Sequence, residues 1–158
     1  MTHIDFYILH EDNRQAQLHF ACRLIEKAHR LGQDIFIACN TLARAEELSQ
    51  LLWTYNPESF IPHALLSANS NETVEIGDMT ACGQHHQLLI NLSDQIPNYF
   101  SRFERLIEIV VQNDNMLQYT REHWAHYKQR EYPINAHKIP KELSQSPQQQ
   151  GIRADEHR

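Results

Sequence analysis

Apolar positions along this chain recur with two spacings, one suited to buried strands and one to helices. Ile4–Leu9 is a compact apolar run of β-forming residues interrupted only by Asp5, and it predicts a first strand. Phe20, Leu24, Ala28 and Leu31 then keep helical spacing, with Ala21 and Ile25 widening the stripe. Asp12, with Gln15 three residues later, offers a capping-box-like start to that helix, and Gly32 is its expected stop. Ile35–Cys39 is apolar throughout, which suits a strand covered on both faces of a parallel sheet. Asn40 or Thr41 caps the next helix, whose buried stripe is Leu42, Ala45, Leu48, Leu52 and Tyr55, with Trp53 at the flank.

Pro57 and Pro62 next bracket Phe60 and Ile61. Ser67–Thr73 is polar and predicts a loop, Val74–Ile76 a short strand, and Gly77–Gln87 a second loop holding Cys82, Gly83, His85 and His86. Leu88–Leu92 is a strong strand; Tyr99, Phe100 and Phe103 begin a short helical or irregular segment; Leu106–Val111 is the last clear strand. Strand and helix alternate, so the pattern predicts a single α/β domain over residues 1–139, with helices flanking a mostly parallel sheet. Residues Pro140–Arg158 contain SQSPQQQG and almost no apolar side chains, and predict a disordered tail.

The longest helical stretch is Asn113–Glu131, nineteen residues without Gly or Pro, closed before Tyr132-Pro133. At about 100° per residue, Leu117, Arg121, Trp124 and Lys128 share one narrow sector. Met116, Thr120, His123 and Tyr127 occupy the neighbouring sector, the natural side to pack on a core. An indole and an aliphatic side chain between two cations suit an acidic peptide. Pattern alone favours another assignment, with Trp124 in the core and Arg121 and Lys128 on a solvated rim, because aromatics at helical spacing are usually core.

Composition narrows the function without choosing it. The 158 residues carry a net charge of -6, so non-specific nucleic-acid binding is not implied. Three widely spaced cysteines with no Cys-x-x-Cys suit reduced thiols in the cytoplasm, and Cys22 and Cys39 read as small core residues. The N-terminal apolar run is too short for a signal peptide or a membrane span. The four glycines build no phosphate-binding loop, and neither a nucleophile elbow nor a zinc-binding H-E-x-x-H helix occurs. His123 and His126, three apart, could meet a metal with His85 or His86, but scattered solvated histidines are the expected reading. Asp94, Glu104 and Glu108 are expected on solvated faces. No cofactor, metal or catalytic residue is predicted.

Over residues 4–139 the chain resembles the chi subunit family of the bacterial DNA polymerase III holoenzyme. The resemblance rests on Phe6-Tyr7-Ile8-Leu9, on the run from Ala21 to Ala28, and above all on Leu52-Trp53 with Ser59-Phe60-Ile61-Pro62-His63. It continues through Val74-Glu75-Ile76, Leu89-Ile90-Asn91-Leu92, Phe103 to Val110, and Arg121-Glu122-x-Trp124-x-x-Tyr127-Lys128. It implies a nucleotide-binding-like fold without nucleotide binding, and a cytoplasmic, non-catalytic accessory subunit of the polymerase holoenzyme. Such proteins link the psi subunit of the clamp loader to the acidic C-terminal tail of single-stranded DNA-binding protein. The tail site carries over onto Val110, Arg121, Trp124 and Lys128. The psi-facing surface carries over onto Trp53, Phe60, Pro62 and His63, a surface where relatives are also linked to a repair helicase. Ala125 and Leu117 stand where family members often have basic residues, Ser49 where Asp is common, and Glu131 where Gly is usual. Two rival classes are a direct single-stranded DNA-binding module using Arg121, Lys128 and Arg130, and a nucleotide-dependent enzyme at the sheet's C-terminal edge.

Overall fold

The computed structural model describes residues 1–58, 60–67 and 72–141. Strand and helix alternate as β1 (His3–Ile8), α1 (Arg14–Arg30), β2 (Ile35–Ala38), α2 (Leu42–Thr54), β3 (Ala64–Leu65), β4 (Val74–Gly77) and β5 (Leu88–Asn91). A one-turn 3-10 helix, Phe100–Arg102, precedes β6 (Arg105–Val110), α3 (Asp114–Gln129) and β7 (Ile134–Lys138). The seven strands pair in the order β3-β4-β2-β5-β6-β1-β7, with every neighbouring pair parallel.

The apolar run of β2 has a simple cause. Ile35 and Ile37 enter the core under α1 and α2, whereas Phe36 and Ala38 enter the core under α3, and all four are fully buried. A strand in the middle of a two-sided sheet has no wet face, so no polar alternation survives in its sequence. Gly77 ends β4 against this strand: a Cβ there would lie 2.7 Å from Cζ of Phe36.

Several expectations shift by a residue or by a face. Asn13, not Asp12, caps α1, its side chain accepting from the Ala16 amide at 2.8 Å. Thr41 caps α2, accepting from the Arg44 amide. Leu31 and Leu42 leave their predicted stripes and are 69% and 56% exposed, since each sits at a helix end, beyond the turns that cover the sheet. Gly32 follows α1 in the left-handed region at φ 75°, as its place in the sequence predicts. The strand ending at Val110 is not the last: β7 follows α3, and β3 precedes β4. Both are edge strands, one only two residues long and the other mixing Asn, His and Lys with its apolar residues, so neither carries a strong strand pattern. Cys22, Cys39 and Cys82 are buried and free, and burial pushes the Cys22 and Cys39 thiols up to about 12. The predicted disordered tail falls almost wholly on residues 142–158, outside the described residues.

Candidate functional site

The position of α3 is fixed by a buried polar anchor. Glu108, on β6, is 3% exposed and receives the Tyr127 hydroxyl at 2.7 Å, the Asn91 amide at 3.1 Å and His123 Nδ1 at 3.0 Å. His123 Nε2 lies 3.0 Å from the Asp94 carbonyl. Both imidazole nitrogens therefore face acceptors, an arrangement satisfied only by the cation. Burial pulls the His123 pKa down, and the hydrogen bond and charge of Glu108 overcome it and hold it above the ordinary histidine value. Burial and Glu108 both push the Tyr127 hydroxyl up.

His123 and Glu108 thus depart from the solvated roles expected for them. Glu108 and His123 lie fifteen positions apart in the chain, on a strand and on the helix that follows it, a pairing that no local pattern reveals. His85 departs in the same way: it is 4% exposed, hydrogen-bonded to Glu75, with Asp34 Oδ1 2.6 Å from its Nδ1 but off the N–H direction. No group of three metal-ligating side chains occurs among the described residues.

With His123 and Tyr127 turned inward, the adjacent sector of α3 faces β1 and the sheet edge. Trp124 is half-buried and packs its indole on Phe6 of β1, ring centroids 4.9 Å apart and planes at 54°. Leu117 packs on the same core. Arg121 and Lys128 flank the indole along the helix, are exposed, and form no ion pair among the described residues. Val110 is 5% exposed at the end of β6 and belongs to the core cluster under Trp124 and Leu117. Arg121, Trp124 and Lys128 share the predicted face of α3, whereas Val110 is a buried member of the core cluster on which Trp124 packs.

One row of this surface was not anticipated. The register sets Ile134, Ala136 and Lys138 of β7 opposite Ile4, Phe6 and Ile8 of β1, so their side chains lie on the α3 side of the sheet, next to the indole's platform. Ala136 and Lys138 are exposed. The Ile-x-Ala-x-Lys alternation was the available signal, too short and too polar to announce a strand by itself.

The second predicted patch lies at the other end of the sheet, against α2 and β3. Phe60 is 71% exposed and Trp53 45%, with ring centroids 5.3 Å apart. Trp53 also stacks on His63 at 4.1 Å. His63 is itself buried: Nδ1 donates to the Ile61 carbonyl at 2.8 Å, and Nε2 lies 3.0 Å from the Ser49 hydroxyl. Pro62 is half-buried, and Ile61 enters the core at 3% exposed. Of Phe60 and Ile61, then, only Ile61 packs inside. His63 supports the Trp53 ring from below. Six strand spacings of about 4.8 Å separate β3 from β7, so the two patches stand on the order of 25–30 Å apart, on opposite faces.

Nucleotide-binding sheets usually hold their ligand where neighbouring strands diverge at their C-terminal ends. Here that crevice, between β2 and β5, has a volume of about 140 Å³ and is lined by Arg14, Asn40, Arg44 and Asp94 among others. Small-molecule pockets typically run from roughly 300 to 1,000 Å³. Arg14 and Arg44 both turn to Glu47, at 2.6 and 3.5 Å. A wider groove of about 580 Å³ beside α3 is walled by Asp94 and Glu122 with no Lys or Arg, a poor setting for phosphates.

This is a nucleotide-binding-like α/β protein whose exposed aromatic surface is divided between two sheet ends. Comparison with known proteins supplies the family. Residues 1–135 match the model of the family described as DNA polymerase III chi subunit, HolC, and the chain belongs to that family. It is 36% identical over 141 residues to the DNA polymerase III subunit chi of Pseudomonas aeruginosa, covering 89% of this chain and 99% of that one. The subunit chi of Haemophilus influenzae is 31% identical over 123 residues (75% and 85% covered), and that of Escherichia coli K12 25% over 142 residues (85% and 97%). The chain is accordingly a replication accessory subunit of DNA polymerase III. The crystal structure of T4 UvsW shares the fold, with a TM-score of 0.63 at 7% identity over 87% of this chain and 41% of that longer one. No helix among the described residues is long and apolar enough to cross a membrane.

Proposed function

We propose that this subunit is an adaptor that holds the acidic C-terminal tail of single-stranded DNA-binding protein on α3 and the psi subunit of the clamp loader on the Trp53–Phe60 surface. The observation that carries the reading is the pair of exposed cations, Arg121 and Lys128, on either side of a half-buried indole, in a chain of net charge -6. Arg121 with Lys128 takes the terminal carboxylate and nearby acids. Trp124 and the Lys128 stem enclose the last apolar side chain, with Val110 beneath.

A charge-assisted hydrogen bond contributes ~1.5–3 kcal/mol and burial of a large apolar side chain ~1.5–3 kcal/mol. Ordering of the tail and lost translational freedom oppose them by several kcal/mol. The affinity expected is roughly micromolar, near −8 kcal/mol, and weaker in salt. Several tails on one oligomeric partner raise the apparent affinity through effective concentration.

The aromatic pair at the second surface suits a partner helix or extended segment. Its distance from the α3 surface lets both partners bind at once, as an adaptor requires. The same surface is also the place for a repair helicase to compete with psi. Calorimetry with the partner's C-terminal peptide tests the tail site: wild type binds, Arg121→Ala and Trp124→Ala lose at least tenfold. Equal affinity across the three proteins removes the proposal.

A further inference from the structure

The α3 surface borders an open sheet edge. Among the described residues β7 is the terminal strand of the sheet, bonded to β1 on one side only. The Ile4 amide donates to the Pro133 carbonyl at 2.9 Å, and the Ile139 amide to the Ile8 carbonyl at 3.0 Å. Backbone groups alternate sides along a strand, so 133, 135, 137 and 139 turn toward β1. The amides and carbonyls of Ile134, Ala136 and Lys138 therefore point away from the sheet. The same three residues put their side chains on the α3 side, where Ala136 lies across from Phe6, the platform of Trp124.

The geometry points to strand addition: the acidic tail pairs with the outer edge of β7 through the backbone of Ile134, Ala136 and Lys138, its terminal side chain reaching the Trp124 shelf over Ala136. This rests on the tail-binding reading and specifies its mode. Two features choose the occupant. Lys138 extends the Arg121–Lys128 pair to a third exposed cation along the path, complementary to an acidic strand. The side chain at 136 is small and exposed, and it lies across from Phe6, the residue on which the indole packs, so the edge adjoins the cationic face of α3. Main-chain pairing then supplies affinity with little dependence on sequence, and the shelf with its cations supplies selection.

The test uses the full chain and the C-terminal peptide of the single-stranded DNA-binding protein from the same cell. Amide hydrogen exchange is followed residue by residue with and without saturating peptide. Exchange at Ala136 and Lys138 is expected to slow at least tenfold, while Asn135 and His137, already bonded to β1, change little. In parallel, Ala136→Pro removes an outward amide that has no partner among the described residues, and is expected to weaken the peptide at least tenfold. A peptide N-methylated at alternate backbone positions loses affinity in one phase of methylation and keeps it in the other. If Arg121→Ala abolishes binding but exchange at 136 and 138, the proline variant and both methylation phases are without effect, strand addition is wrong and the tail site stands. If wild type does not bind the peptide, both fall. A dimer of the free protein that Ala136→Pro dissociates assigns the edge to a second copy and overturns the proposal.

Discussion

Trp124 meets Phe6 at 4.9 Å between ring centroids, and this contact sets how much of the indole is left for a partner. Phe6 is 1% exposed and belongs to the core, so one face of the indole contributes to stability. Arg121 and Lys128 stand about one turn before and one turn after it on α3, both exposed. Trp124→Ala should lower stability by about 1–2 kcal/mol, less than a fully buried aromatic, in a chemical denaturation curve. Arg121→Ala should change stability by less than about 0.5 kcal/mol while weakening the tail peptide roughly 10–100-fold. An Arg121 variant that unfolds as readily as the Trp124 variant would show that the two side chains do not divide packing from recognition in this way.

Phe60, 71% exposed against Trp53, should behave as a binding residue with little structural role. Phe60→Ala is expected to melt within a degree or two of wild type and to lose psi by about 2 kcal/mol in a pull-down or calorimetric titration. Unchanged psi binding would remove the second surface from the adaptor.

The His123–Glu108 anchor makes stability pH-dependent. The folded-state pKa of His123 is raised, so its contribution is complete below the unfolded value of 6.5 and is lost as pH rises through the folded value. Urea midpoints should fall on going from pH 6 toward alkaline pH. In His123→Ala that slope should flatten and stability should drop by about 1–3 kcal/mol, as Glu108 keeps only Tyr127 and Asn91. A slope that survives the substitution assigns it to another group.

Asp5 gives the opposite dependence at the acid end. Burial raises its pKa, but hydrogen bonds from His137 and Arg105, with their charges, outweigh this and lower it below the ordinary 3.8. Its contribution is present above 3.8 and fades as pH falls through the lower folded value. Acid titration of Asp5→Asn should show less loss of stability below about pH 4 than wild type.

Two backbone positions give predictions of opposite sign. Glu131 ends α3 at φ 62°, where a side chain costs about 1–2 kcal/mol. Glu131→Gly should therefore stabilise by about 0.5–1 kcal/mol after the added freedom of the unfolded chain is counted. At Gly77 a methyl group would press on the buried Phe36 ring at 2.7 Å, and Gly77→Ala should destabilise by about 1–3 kcal/mol. Thermal melts of both variants check these signs.

The α/β alternation, the two-faced burial of β2, the inward turn of Tyr127, and the face shared by Arg121, Trp124 and Lys128 were all legible in the sequence, whereas for His123 the helical spacing pointed inward and its residue type pointed to solvent. Each follows from side-chain spacing within one element, and that spacing is a local quantity. Tertiary structure alone decided that Trp124 is half-buried on Phe6, that Glu108 and His123 form an internal pair, that His63 supports Trp53, and that Ala136 and Lys138 of an edge strand border the α3 surface. These depend on which strands become neighbours, and the pairing of β1 with both β6 and β7 joins residues about a hundred positions or more apart. Local periodicity carries no record of such contacts, because they are selected by burial of the whole sheet between its two helical layers.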